Sequence, residues 1–448
     1  MLKKNINNII SKITGTNFKD QYLEIKKIRN RDDLIKFKEL HLKRLLLHAS
    51  KHVPYYHRLF KNVGVVNGET VELSKFNKIP ILTKEIIRSE KLISDDYLTR
   101  KWYYNYSGGS TGEPTKFMQD LNYEKWFNAT NEFYYKNMLD IDEKNVKKIL
   151  LWGSPRDLFK GNIGIKSKFG TWLTNTVFLN SFRLTEADIE KYVKTINLYR
   201  PDLIRGYAGS LFELCRYAEE KNVKIYTPKI VVSSAETLTN EMREKIESVF
   251  GTKLYDFYGS RETASIAGEC RCGLMHIFEF NNYVEILDEN NQPVKEGQEG
   301  RIIVTNLHNY SMPFIRYEIG DMAMLGPNDC ECGNVLPTLK KIYGRIEEQF
   351  VKRDKSIVIG YYFVHLMGVV LNKGFIKKFQ VVQEDYDKIR ILVILNKILP
   401  DVEKKDIEDK IRLQMGQDCK IIWDFVDDIP KTKSGKYLYT VSFLNSSK

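Results

Sequence analysis

Between residues 148 and 260, short apolar runs alternate with amphipathic helical repeats, and this alternation narrows the fold more than any other feature of the chain. "KKILLWG" reads as a strand. In "LTEADIEKYVKTINLYRPD", Thr185 and Asp188 have capping-box spacing, Ile189, Tyr192, Val193, Ile196 and Tyr199 mark one helical face, and Pro201 ends the helix. "LIRGY", "SLFELCRYAEEKN", "KIVVSSAE", "NEMREKIESVFG" and "KLYDFYG" follow as strand, helix, strand, helix and strand. Strands and helices in turn at this spacing form a parallel sheet with helices across its faces. Such sheets bind ligands beyond the carboxyl ends of their strands. The loops falling there are "SSAET" and "YGSRET", both polar and built from small residues.

The flanking regions have other textures. "DDLIKFKELHLKRLLLHASKHV" carries apolar residues at three- and four-residue steps, the pattern of an amphipathic helix. From about residue 282, "YVEILDENNQPVKEGQEGRIIVTNL" alternates apolar and polar around turn residues and reads as antiparallel strands. The last hundred or so residues hold "KIRILVILNKI", a helical "VEKKDIEDKIRLQM" and "CKIIWDFVDDIP", the makings of a small α+β domain. A chain of 448 residues with 42% hydrophobic content has room for two or three domains. No run of 18 apolar residues occurs, so no span of a membrane is expected, and "MLKKNINNIISKITG" lacks the apolar core of a signal peptide. A cytoplasmic location follows as an expectation. Leu2, Ile6, Ile9, Ile10 and Ile13 form a stripe that either packs on the domain or lies on an anionic membrane. The net charge of +12 is interleaved with 58 acidic residues and no aromatic–basic stripe accompanies it, which argues against nucleic acid and leaves a mild attraction for anionic ligands such as nucleotides.

Two clusters carry chemistry. "YSGGSTGEPTKF" gathers glycines, hydroxyls and a lysine, the means to hold a phosphate chain, although its spacing is not G-x-x-x-x-G-K-[ST] and a plain flexible loop has the same composition. "CRCG" and "CECG" bring paired cysteines without a secretion signal, which favours metal over disulfides. Cys270, Cys272, His276, Cys330 and Cys332 offer five candidates for a four-coordinate Zn²⁺ within an insert at about 268–335. No acid stands among them to activate water, so the zinc is expected to be structural; free buried thiols are the alternative. Spacing does not decide between Cys272 and His276 as the residue left out.

Five further motifs stand in order after the glycine-rich loop: "SSAET" at 233–237, "DFYGSRE" at 256–262, "RYEIGDMA" at 316–323, "GRIEE" at 344–348 and "IPKTKSGK" at 429–436. Together they resemble the adenylate-forming superfamily of acyl-CoA ligases and adenylation domains, over roughly residues 80–440. "PILTKEIIR" and the Cys/His insert resemble the phenylacetate–CoA ligase branch, which includes relatives from capsular polysaccharide gene clusters. The resemblance implies an α/β multi-layer fold: a large domain over 1–344, with mainly parallel sheets plus an antiparallel subdomain, and a small mobile α+β lid over 345–448. It also implies a two-step reaction. A carboxylate attacks the α-phosphate of ATP, releasing pyrophosphate, and a thiol such as coenzyme A then displaces AMP.

On that resemblance Ser107, Gly108, Gly109, Ser110, Thr111, Gly112 and Lys116 wrap the β- and γ-phosphates. Ser234, Ala235 and Glu236 edge the adenine, with Tyr258 on its face and Gly259 beside it. Glu262 holds Mg²⁺, Asp321 accepts from the ribose hydroxyls with Arg345 near it, Glu347 lies at the hinge, and Lys436 bridges carboxylate and α-phosphate. Two departures matter. Arg261 stands where the family has a threonine, and either supplies a charged contact to the α-phosphate or points away. "VKRDKSIVIGYYFVHLM" lacks the glycine-rich loop expected beside an incoming thiol, so a carrier-protein thiol, a sugar or an amine remains open as acceptor, as does a non-catalytic nucleotide-binding scaffold. A homodimer is a further implication of the branch.

Overall fold

The computed structural model describes residues 14–106, 115–152, 174–181, 186–236, 238, 240–345, 349–354, 357–359, 362–363, 366–367, 375–395, 397–429 and 440–445. The opening apolar stripe, the glycine-rich loop from Ser107 to Gly112, Thr185, Glu347 and Lys436 lie outside them.

Strands β1 (Trp102–Tyr106) and β2 (Lys116–Asp120) pair antiparallel, with Tyr106 opposite Lys116, and so bring together the two ends that flank the glycine-rich segment. Among the described residues the main body is an eleven-stranded sheet. Its strands are β3 (Lys148–Trp152), β4 (Thr176–Asn180), β5 (Leu203–Tyr207), β6 (Ile230–Ser234), β7 (Leu254–Ser260), β8 (Ala264–Glu269), β9 (Met275–Ile277), β10 (Asn282–Leu287), β11 (Glu299–Asn306), β12 (Tyr317–Leu325) and β13 (Thr338–Arg345). Their spatial order is β10-β11-β12-β13-β9-β8-β7-β6-β5-β3-β4. Strands β3 to β7 pair parallel, as the alternation of strands and helices requires. The antiparallel region is not a separate sheet: the β7–β8 hairpin continues the same sheet into β9 to β13.

Helices cover both faces of the parallel half. Ile149, Leu151, Ile204, Val231 and Leu254 pack against α3 (Glu186–Tyr199), α4 (Ala208–Glu220) and α5 (Asn240–Phe250), and the expected face of α3 is the buried one. Leu203, Ile230, Val232, Tyr255 and Phe257 point the other way, onto α2 (Leu121–Phe133) and the π-turn after it. All five residues of β6 are buried, as a strand covered on both faces must be. Helix α1 (Arg31–His52), capped by the Asn30 side chain, lays Leu42, Leu45, Leu46 and Ala49 into a core shared with the antiparallel half.

Beyond β13, strands β14 (Ile376–Asp385), β15 (Lys388–Leu395), β16 (Lys420–Phe425) and β17 (Thr440–Ser442) form a second sheet in the order β16-β15-β14-β17. Helix α6 (Asp401–Met415) packs Ile407, Ile411 and Met415 with Ile389, Ile391 and Val393 of this sheet. The same helix meets the large body, where Leu413 joins the α3–α4 core and Lys410 Nζ lies 3.8 Å from Glu213 of α4. No helix among the described residues is long and apolar enough to cross a membrane.

Candidate active site

The carboxyl edge of the parallel strands carries "SSAET" and "DFYGSRE", and Asp321 of "RYEIGDMA" meets it. Strand β6 ends at Ser234, whose hydroxyl donates to the Phe257 carbonyl at 2.8 Å and ties β6 to β7. Ala235 then takes a left-handed φ of 68°, and Glu236 turns back so that its Oε2 accepts from the Gly209 amide at 2.7 Å. That amide lies in the first turn of α4, where a carboxylate satisfies an otherwise unpaired donor and the positive end of the helix dipole. "SSAET" and "RGYAGS" thus meet. Beneath them Ser233 donates to Asp256 Oδ1 at 2.7 Å. Burial raises the Asp256 carboxyl to about 6 despite that hydrogen bond.

At the end of β7, the Tyr258 hydroxyl donates to Asp321 Oδ2 at 2.6 Å. Asp321 sits on β12 opposite Arg345 on β13, just after Gly320 at φ 90°. Gly259 is required by close approach, since a Cβ there would come within 2.4 Å of the Ala264 carbonyl oxygen. The turn that follows buries Glu262 to 8% exposure and leaves the Arg261 side chain exposed. Gln119 Nε2 and Tyr123 Oη both donate to the Arg261 carbonyl, at 2.7 and 3.2 Å. Gln119 belongs to β2, so the strand leaving the glycine-rich segment is anchored to the turn that carries Glu262. Lys116 stacks its ammonium on the Tyr104 ring, 3.6 Å from the centroid.

Arg316, the first residue of "RYEIGDMA", is 2% exposed and makes a two-pronged ion pair with Glu285, both contacts at 3.0 Å. It also donates to the Asn77 carbonyl at 2.6 Å and to that of Ile79. Leu82 of "PILTKEIIR" bridges to Tyr317, so this early segment is fixed to the strand that presents Asp321. Sequence reasoning missed Gln119, Tyr123 and Glu285, because each acts through a partner far away in the chain.

Four of the five metal candidates converge. The donor atoms of Cys270, His276, Cys330 and Cys332 all lie within 4.8 Å of one another, while Cys272 is exposed and outside the group. His276 Nδ1 meets the Leu336 carbonyl at 2.9 Å, so that nitrogen carries the proton and Nε2 faces the thiols, 3.2 Å from Cys332 Sγ. Against the effect of burial, the interaction with His276 and hydrogen bonds from backbone amides bring the Cys270 thiol down to about 6.

This arrangement has relatives. Residues 350–442 match the family described as the CapK C-terminal domain. Protein CapK of Staphylococcus aureus is 24% identical over 439 residues, covering 95% of this chain and 92% of its own. A phenylacetate–coenzyme A ligase of Thermus thermophilus is 27% identical, covering 73% of this chain and 74% of its own. Among solved structures, 2-hydroxyisobutyryl-CoA ligase in its postadenylation state aligns with TM-score 0.63 at 18% identity, over 93% of this chain and 91% of that one. The fold is therefore that of the acyl-CoA ligases. By sequence the chain is similar to CapK and to the phenylacetate–coenzyme A ligases along most of its length.

Proposed function

We propose that this protein uses ATP to activate a carboxylic acid as an acyl-adenylate, releasing pyrophosphate, and then passes the acyl group to a thiol such as coenzyme A. One observation carries the reading: Tyr258 and Asp321, the Glu236 turn, and the Glu262 turn anchored by the β2 hairpin lie along one carboxyl edge of the sheet. The attack creates extra negative charge on phosphorus, so catalysis is a matter of positioning and electrostatics.

In this reading the Glu236 turn borders the adenine, the Tyr258 ring covers it, and Asp321 accepts from the ribose. Lys116 and the segment Ser107–Gly112 hold the outer phosphates, Arg345 stands beside the ribose, and Lys436 neutralises the oxygens of the attacked phosphate. Arg261, exposed at the turn, reaches the phosphates only when they arrive. Glu262 suits Mg²⁺, because its buried carboxylate makes no hydrogen bond or ion pair among the described residues. The Cys270–His276–Cys330–Cys332 set suits a structural Zn²⁺: it has three thiols and a histidine already oriented by a backbone carbonyl, and among the described residues no carboxylate joins the cluster of donor atoms. Residues 345–448 act as the lid, with the hinge at Glu347, in a cytoplasmic enzyme that works alone or as a homodimer. Transfer to a sugar or amine is the alternative second step.

The test is pyrophosphate release from ATP over a panel of carboxylic acids, followed by addition of coenzyme A with any acid that is turned over. Acid-stimulated release supports the reading. Tight nucleotide binding with no release for any acid points to a scaffold instead.

A further inference from the structure

Arg205 is set apart from the other partly buried arginines. It lies on β5, two residues before Tyr207, on the face of the sheet that looks toward α2. Its guanidinium carbon is 4.6 Å from the Phe257 ring centroid and 5.4 Å from that of Trp152, so two aromatic faces hold it. Trp152 in turn meets Tyr207 edge-on at 4.6 Å. The polar contacts are long: Nη1 to Tyr135 Oη and Nη2 to Ser234 Oγ, each 3.4 Å. Its Nε is buried with no hydrogen-bond partner, and no carboxylate among the described residues pairs with it. Elsewhere such arginines are neutralised, Arg316 by Glu285 at 3.0 Å and Arg243 by Glu269 at 2.8 Å. A guanidinium is always charged and carries five donors in a planar fork that fits a carboxylate or phosphonate with two prongs. The two rings hold the cation in place before any ligand arrives. The contact with Ser234 puts the fork at the edge where β6 and β7 end, beside the Glu236 turn.

Resting on the proposed activation of an acid at this edge, we infer that the substrate carries, besides the reacting carboxylate, a second anionic group that Arg205 receives within the Trp152–Tyr207–Phe257 box. Arg205 is then a specificity residue, and the aromatic rings around it orient the cation more than they select an aryl acid.

The experiment measures binding without turnover. Tryptophan fluorescence is titrated with glutarate, 3-phosphonopropionate, hexanoate and phenylacetate in the presence of AMP, with Trp152→Phe identifying the reporting ring. The expected result is saturable binding of glutarate or 3-phosphonopropionate at least tenfold tighter than of hexanoate. Arg205→Met should remove that preference, leave AMP affinity unchanged and bind hexanoate no worse. Arg205→Lys should recover only part, lacking the fork. Equal or better binding of the mono-acids by the wild type, equal weakening of every acid by Arg205→Met, or no saturable dianion binding would each overturn the inference. Arg205-dependent dianion binding with no pyrophosphate release from any acid would sink the adenylation reading and leave the anion site standing.

Discussion

Replacing Tyr258 with phenylalanine isolates one atom of the proposed nucleotide site. The ring remains, so any stacking surface is kept, and what goes is the hydroxyl that donates to Asp321 at 2.6 Å. A hydrogen bond to a charged acceptor is worth about 1.5–3 kcal/mol when well made. Both partners are only partly buried, so the lower end applies. About 1.4 kcal/mol corresponds to a factor of ten in affinity. Without its donor the carboxylate is no longer fixed for the ribose hydroxyls. Tyr258→Phe should therefore weaken AMP and ATP binding about tenfold by calorimetry, while Asp321→Asn weakens both further. The denaturation midpoint should move little, since the pair joins two strands already held within one sheet. Unchanged nucleotide affinity with a clear loss of stability would refute the reasoning and make the pair a brace of the sheet.

Other expectations follow from particular contacts. Arg316→Met leaves Glu285 buried without its partner and strands two carbonyls, so urea unfolding should show a loss of about 3–5 kcal/mol, partly recovered by adding Glu285→Leu; a loss under about 1 kcal/mol would contradict this. Burial lowers His41 from 6.5 to about 4, with Arg44 adding to the effect, so its stabilising contribution is complete above pH 6.5 and is lost as pH falls toward 4, about 3 kcal/mol in all. His41→Phe should flatten that acid limb in thermal melts. Asp256 has the opposite sign: its carboxyl is raised from 3.8 to about 6, so its contribution is complete below 3.8 and is lost as pH rises toward 6, and Asp256→Asn should remove this term. One Zn²⁺ per chain is expected by elemental analysis, lost in Cys332→Ser and retained in Cys272→Ser.

Where local pattern decides structure, the fold was legible in the sequence. The face of α3 at Ile189, Tyr192, Val193 and Ile196 is buried, and the four strands read from "KKILLWG" to "KLYDFYG" pair parallel, joined by β4, which the sequence reading did not include and which is also parallel. The continuity of the sheet through the β7–β8 hairpin was not legible, because strand order depends on contacts distant in sequence. In the same way "SSAET" and "YGSRET" were legible as polar loops at strand ends, but the contacts of Gln119, Glu285 and Arg205 gave no local signal. Those contacts are to partners that only the fold supplies. The cysteine–histidine cluster shows the limit of spacing: Cys272 and His276 were equal in the sequence, and geometry separates them.

Acid-dependent release of pyrophosphate from ATP, by the wild type and by Lys436→Ala, tests the central claim most directly. The account predicts release with at least one acid from the wild type, and a fall of several orders of magnitude in the variant while ATP binding persists. No release from the wild type with any acid, or equal loss of binding and release in the variant, would contradict it.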